Sequence, residues 1–293
     1  MKYAVISDIH ANLPALAAVL DAAAAAGADR IVCLGDISGY HTQTAACVRL
    51  LQEAGALCVA GNHDRAVIGA LGNEGFNRQA QRAVAWIRER LEDPARDFLA
   101  ALPLKRSVDG VMVAVHGALH PQVGCEWVRL DDDTKRALSL DALVIHPGGA
   151  RVCAFGHTHR PGVWERRAGE IRRLVGGTVT LRPDAWYLVN PGSVGEPRDE
   201  DPRASFLVFD SVACSIRFER VAYDRASVLA KSREAGLIPP QRLAWMPQPQ
   251  RVWLKQRLRR WGVDGIAVAV LEVLDWRPIS TRTVRTAKPR AEP

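Results

Sequence analysis

The stretch KYAVISDIH at residues 2–10 decides the reading of this chain. Four apolar residues, Tyr3-Ala4-Val5-Ile6, run into a short segment that carries Asp8 and His10. A short continuous apolar run bounded by polar residues predicts a buried strand over 2–7. Pro14 then opens a helix predicted over 15–26, with an alanine run at 22–26 that costs little side-chain entropy and Gly27 just past its end. The same arrangement recurs along the chain. Strands predicted over 30–34, 57–60, 111–116 and 152–155 run into Gly35-Asp36, into Gly61-Asn62-His63-Asp64, onto His116 itself, and into Gly156-His157-Thr158-His159.

Helices are predicted over 45–53 and 77–91, the second with Ala80, Ala83, Val84 and Ile87 spaced for one apolar face. Later strands, over 186–189, 205–209 and 215–221, follow one another with only turns between them. Residues 163–167 and 171–174, joined by Ala168-Gly169-Glu170, read as a hairpin. Strands alternating with helices place the chain in the α/β class with partly parallel sheets, and the second half reads as antiparallel or mixed.

Composition narrows the classes further. The 293 residues are 48% hydrophobic and 24% charged, which excludes a disordered chain or a small disulfide-stapled fold. No apolar run reaches the roughly 20 residues that a membrane helix needs. The six cysteines form no Cys-x-x-Cys pair, and Cys33, Cys58 and Cys153 lie inside apolar runs as free thiols would. These features lead us to expect a cytoplasmic protein. The net charge of +7 is concentrated at the end: residues 225–293 hold 14 Lys/Arg against 5 Asp/Glu, so the body is close to neutral.

Asp8, His10, Asp36, Asn62, His63, His116, His157 and His159 therefore all follow or close strands, at gaps of 28, 26, 54 and 41 residues between groups. No local motif unites them, but a sheet would, because the carboxyl ends of parallel strands share one crevice. Oxygen and imidazole donors in such a set suit first-row divalent metals. Gly35, Gly39, Gly61, Gly117 and Gly156 beside them allow close backbone approach.

The segments SDIHANLPAL, GDISGY, GNHD, VHG, GHTHRP and NPGSVGEPRD, in this order, resemble the calcineurin-like metallophosphoesterases, in particular the small bacterial phosphodiesterase-type branch. The resemblance covers residues 1–222. It implies a four-layer αββα sandwich with two mixed sheets and a dinuclear metal site at the strand C-terminal edge. It further implies that Asp8, His10, Asp36 and His159 hold one divalent ion and that Asp36, Asn62, His116 and His157 hold the other. Either ion could be Mn, Fe, Ni, Zn or Co.

The implied reaction is hydrolysis of a small phosphorylated substrate, a phosphodiester or phosphomonoester, by a metal-bridging hydroxide. Asp36 would bridge the two ions, and His63 would protonate the leaving group. Arg198 and His41 are candidates for contact with the substrate. Asp36 is followed by Ile37-Ser38-Gly39-Tyr40-His41, without the arginine that protein Ser/Thr phosphatases of this superfamily place there. His41-Thr42 and Ala118-Leu119 also depart from close relatives, so their substrates transfer poorly.

Residues 223–293 are expected to form a basic, Trp-containing extension. Within it 250–261 reads as a short helix with Leu254, Leu258 and Trp261 on one face, followed by an apolar run at 266–274. Packing on the body, binding of nucleic acid, and docking to a membrane surface or partner remain open for it. Two rival functions follow: a nuclease of the same superfamily that uses this tail, and a non-catalytic scaffold.

Overall fold

A computed structural model describes residues 1–121 and 123–238. Residues Met1–Ser232 form one compact unit, within which all but the last two residues of the final helix below fall. Its strands are β1 (Lys2–Ile6), β2 (Arg30–Cys33), β3 (Leu57–Cys58), β4 (Lys105–Val108), β5 (Met112–Val115), β6 (Val152–Ala154), β7 (Gly162–Arg167), β8 (Glu170–Leu174), β9 (Thr178–Thr180), β10 (Trp186–Asn190), β11 (Ala204–Asp210) and β12 (Ser215–Val221). Its helices are α1 (Leu13–Ala25), α2 (Thr44–Glu53), α3 (Asn62–Val67), α4 (Arg78–Arg88), α5 (Asp93–Ala100), α6 (Asp133–Val144) and α7 (Arg225–Glu234).

The strands form two six-stranded sheets, ordered β3-β2-β1-β11-β12-β9 and β4-β5-β6-β10-β7-β8. Both are mixed. β1 pairs parallel with β2 and antiparallel with β11, and β6 pairs parallel with both β5 and β10. Period-two alternation then assigns each residue a layer. In β1, Tyr3 and Val5 face the second sheet while Ala4 and Ile6 face α1 and its neighbours. In β6, Val152 and Ala154 meet the first sheet, and Cys153 packs with Leu140 and Leu143 of α6. Helices thus cover the outer face of each sheet, which makes a four-layer αββα sandwich. Cys33, Cys47, Cys58, Cys125 and Cys153 are buried free thiols, and Cys214 is exposed.

The fold trims several expectations. The strand expected over 57–60 is only Leu57–Cys58, because Ala60 turns its N–H to the Pro103 carbonyl at 2.8 Å and leaves the ladder. Asn77 stands outside α4 as its N-cap, accepting from the Ala80 N–H at 2.9 Å. β4, β9, α5 and α6 are not among the expected elements; α5 does carry an amphipathic pattern that buries Ala95 and Leu99, but over eight residues only. α7 occupies the start of the expected basic extension, and the helix expected over 250–261 and the apolar run after it lie outside the described residues. Among the described residues no helix is long and apolar enough to cross a membrane.

Candidate metal centre

β1, β2, β3, β5 and β6 run parallel within their sheets, and the candidate residues sit just beyond their C-terminal ends. Asp8 and His10 follow β1, Asp36 follows β2, Asn62 and His63 open α3 after β3, His116 follows β5, and His157 and His159 follow β6. All eight are buried. Five of them, Asp8, His10, Asp36, His157 and His159, hold positive φ angles between 52° and 63°. Each such non-glycine residue costs on the order of 1–2 kcal/mol, so strain is concentrated at this edge.

The ring tautomers show what the cluster can hold. His10 Nδ1 lies 3.0 Å from the Ser38 carbonyl, and His159 Nδ1 lies 2.6 Å from the Glu196 carbonyl. A carbonyl only accepts, so both Nδ1 atoms carry the proton and both Nε2 atoms are lone pairs in the neutral rings. Those two Nε2 atoms are 3.2 Å apart, and Asp8 Oδ1 is 3.2 Å from His159 Nε2. His116 repeats the pattern. Its Nδ1 donates to the Leu34 carbonyl at 2.8 Å, while Nε2 faces Asn62 Oδ1 at 3.0 Å, His157 Nδ1 at 3.2 Å and Asp36 Oδ2 at 3.3 Å. The Nε2 lone pairs of His10 and His159 converge with no proton to share between those two neutral rings, a donor set suited to a cation.

Asp36 lies between the two groups. Its Oδ1 accepts the His63 backbone N–H at 2.9 Å, and Oδ2 reaches toward both His116 Nε2 and, at 3.8 Å, His10 Nε2. Gly61 makes this possible, since a Cβ there would collide with the Asp36 carboxylate. Asp64 staples the loop after β2 to α3 by accepting from the Ser38 N–H and hydroxyl and from the Gly61 N–H. Three groups of ligand atoms come together: Asp8 with His10 and His159, Asp36 with His116 and His157, and His10 with Asp36 and His63.

Burial dominates the electrostatics. It pushes His10 and His159 well below the ordinary imidazole value and His157 down to about 3, so their lone pairs stay free at neutral pH. His116 is the exception. Burial opposes its charge, yet Asp36 and Asp8 raise it to about 9, a proton being the smallest cation this pocket accepts. His63 is also held down, chiefly by burial, with Asp36 pulling the other way. Its Nδ1 is buried without a hydrogen-bond partner, and a Cβ on Gly39 would strike the ring.

The cluster floors a cleft of about 620 Å³, lined also by Tyr40, Phe76, Gln79, Trp127, Arg129 and Arg198. Arg198 donates to the Tyr40 hydroxyl at 3.2 Å and faces the cleft. His41 does not line it. His41 is buried, bonded to Ser232 Oγ and Glu196 Oε1 at 2.8 Å each, and borders a separate cavity of about 140 Å³.

The turn that braces the site belongs to the NPGSVGEPRD segment already singled out in the sequence, whereas sequence reasoning missed the cleft-wall residues Phe76, Gln79, Trp127 and Arg129. The Asn190–Gly195 turn is a clamp: the Asn190 amide donates to the Gly156 carbonyl and to Thr158 Oγ1, and the Ser193 hydroxyl and Gly195 N–H both donate to the Asp8 carbonyl. The only signal for Trp127 was an aromatic residue outside any periodic run.

Comparison with known proteins identifies the family. Residues 1–213 match the family described as "Calcineurin-like phosphoesterase superfamily domain". An uncharacterized protein of Methanocaldococcus jannaschii is 36% identical over 226 residues, which span 75% of this chain and 87% of that protein. A metallophosphoesterase from Sphaerobacter thermophilus is 36% identical, with a TM-score of 0.67 over 80% of this chain and 95% of the other. A hypothetical protein from Pyrococcus horikoshii shares the fold at 17% identity, with a TM-score of 0.62 over 82% and 94% of the two chains. From its first strand through β11, this chain belongs to the calcineurin-like phosphoesterase superfamily.

Proposed function

We propose that the chain is a hydrolase of phosphate esters, acting on phosphomonoesters or phosphodiesters with two divalent cations. The observation that carries this reading is the convergence of unprotonated His10 and His159 nitrogens with Asp8 on one side, and of His116, His157 and Asn62 on the other, with Asp36 Oδ2 between them. Asp8, His10, Asp36 and His159 would hold one ion, and Asp36, Asn62, His116 and His157 the other. When bound, such ions supply Lewis acidity toward a phosphoryl oxygen and a water acidified enough to attack at neutral pH.

The protein's own groups do the rest. Arg198 presents a guanidinium fork from the cleft wall for the non-bridging phosphate oxygens. His63 lines the cleft beside Asp36 and would hold a proton at the leaving oxygen. Burial favours its neutral imidazole, and the negative charge of an approaching phosphate would let it take up that proton. The complete donor set under a cleft of ligand size favours a catalyst over a scaffold.

The test is elemental analysis of metal content together with Mn²⁺-dependent hydrolysis of p-nitrophenyl phosphate and bis-p-nitrophenyl phosphate. Wild type is compared with Asp36→Ala and His63→Ala. Two ions per chain and turnover lost in both variants would support the assignment. Two ions with no turnover on either ester would overturn it.

A further inference from the structure

One wall of the cleft goes beyond what phosphate chemistry requires. Phe76 and Trp127 lie with ring centroids 5.0 Å apart and planes inclined at 55°. Phe76 in turn stacks on the His63 imidazole at 4.3 Å and 16°, so aromatic surface runs without a break from His63 out to the indole. Trp127 is no loose surface side chain. Its neighbour Glu126 is buried and paired with Arg65 of α3, the helix that also carries Asn62 and His63. Gly75 backs the ring, with a Cβ there lying 3.6 Å from the indole.

Two polar side chains that line the same cleft, the Gln79 amide and the Arg129 guanidinium, make no side-chain hydrogen bond or ion pair among the described residues. An amide in a cleft that also presents an aromatic face offers a donor and an acceptor to the edge of a flat heteroaromatic ring. A free guanidinium offers a fork to phosphate.

We propose that the substrate is a nucleotide. The scissile phosphate meets the metal cluster, the base lies along the Phe76–Trp127 wall with Gln79 at its edge, and Arg129 adds positive charge for the phosphate. This rests on the phosphoesterase reading above and names its substrate class. The cleft volume of about 620 Å³ lies within the range of roughly 300–1,000 Å³ usual for small ligands. A phosphotyrosine would use the aromatic wall but has no donor–acceptor edge for Gln79. A sugar phosphate would leave the wall wet.

The experiment uses the Mn²⁺-loaded full chain and pairs of esters that differ in the base. AMP is compared with ribose 5-phosphate, and thymidine 5′-p-nitrophenyl phosphate with methyl p-nitrophenyl phosphate. Wild type is expected to favour the nucleotide of at least one pair by about ten- to hundredfold in kcat/KM. Trp127→Ala removes that preference and leaves the base-free partner within about twofold, while Trp127→Phe keeps most of it. Gln79→Ala costs about tenfold on the nucleotide alone.

Equal losses on both members of a pair in Trp127→Ala would assign the indole a structural role and overturn the proposal. A wild-type preference for ribose 5-phosphate or for an O-phosphotyrosine peptide would do the same. Calorimetric titration with AMP and ribose 5-phosphate separates the two readings. AMP binding that Trp127→Ala abolishes, with no ester hydrolysed, would refute the phosphoesterase reading and leave the nucleotide as ligand class. Hydrolysis of bis-p-nitrophenyl phosphate that His63→Ala abolishes, without any base preference, would refute the nucleotide assignment alone.

Discussion

His10 Nε2 and His159 Nε2 face each other across 3.2 Å while both rings spend their Nδ1 protons on backbone carbonyls. Two lone pairs at that distance repel, and the fold holds them there from segments 149 residues apart. A cation between them would turn that repulsion into coordination.

Chelation should accordingly lower the thermal midpoint, and metal should raise it. Free Mn²⁺ or Co²⁺ at a hundredfold excess over its dissociation constant stabilises by about 2.7 kcal/mol, read by calorimetry. His159→Ala should bind about one ion fewer per chain by elemental analysis. A midpoint indifferent to both chelator and metal would remove the metal-centre reading.

His63 touches the cleft through a ring held by stacking on Phe76, not by a carboxylate. His63→Ala should lower kcat by about 10²–10⁴ on alkyl phosphates and much less on p-nitrophenyl esters, whose leaving group needs little protonation. Metal content should stay unchanged. Equal losses on good and poor leaving groups would deny it the acid role.

The Arg65–Glu126 pair sets a buried carboxylate against a largely covered guanidinium. Arg65→Ala leaves that charge uncompensated and should cost about 3–5 kcal/mol in denaturant unfolding. Replacing both, Arg65→Met with Glu126→Leu, should recover most of the loss. If Arg65→Ala proved neutral, the pair would not be what holds the Cys125–Trp127 turn on α3.

Tyr3 of β1 is buried between the sheets, and its hydroxyl donates to Asp109 Oδ2 at 2.8 Å. Burial first, then Asp109, pushes the phenol up to about 12. The unfolded chain releases this proton near pH 10, so the contribution of Tyr3 is whole below that value and drains away as pH climbs toward about 12. Tyr3→Phe should cost about 1 kcal/mol at neutral pH, and its stability should fall less steeply on the alkaline side. Parallel alkaline arms in pH-dependent denaturation would contradict this account.

Much of the fold was legible because its signals are local. Apolar runs of four to six residues, a Pro at the start of α1 and a Gly after its end read directly as strand and helix, and β1, β2, β6 and β12 fall within a residue or two of the reading. α6 and β9 were not legible, since each buries its few apolar residues only against remote segments, α6 among residues of β5, β6 and β10 and β9 against β12. The candidate site divides the same way. That Asp8, Asp36, Asn62, His116 and His157 stand at strand ends is a property of each segment alone.

The sequence by itself determined which donors stand at the edge of the sheets, because strand ends and the glycines beside them are written in a few adjacent residues. Only the tertiary structure decided what those donors can do. The carbonyls that fix the imidazole tautomers come from Ser38, Glu196 and Leu34, between 28 and 82 residues away from the rings they bind. The wall of Phe76 and Trp127 joins two loops that share no pattern. Proton position and cleft shape depend on distances between remote segments, and those distances exist only once both sheets have closed on one another.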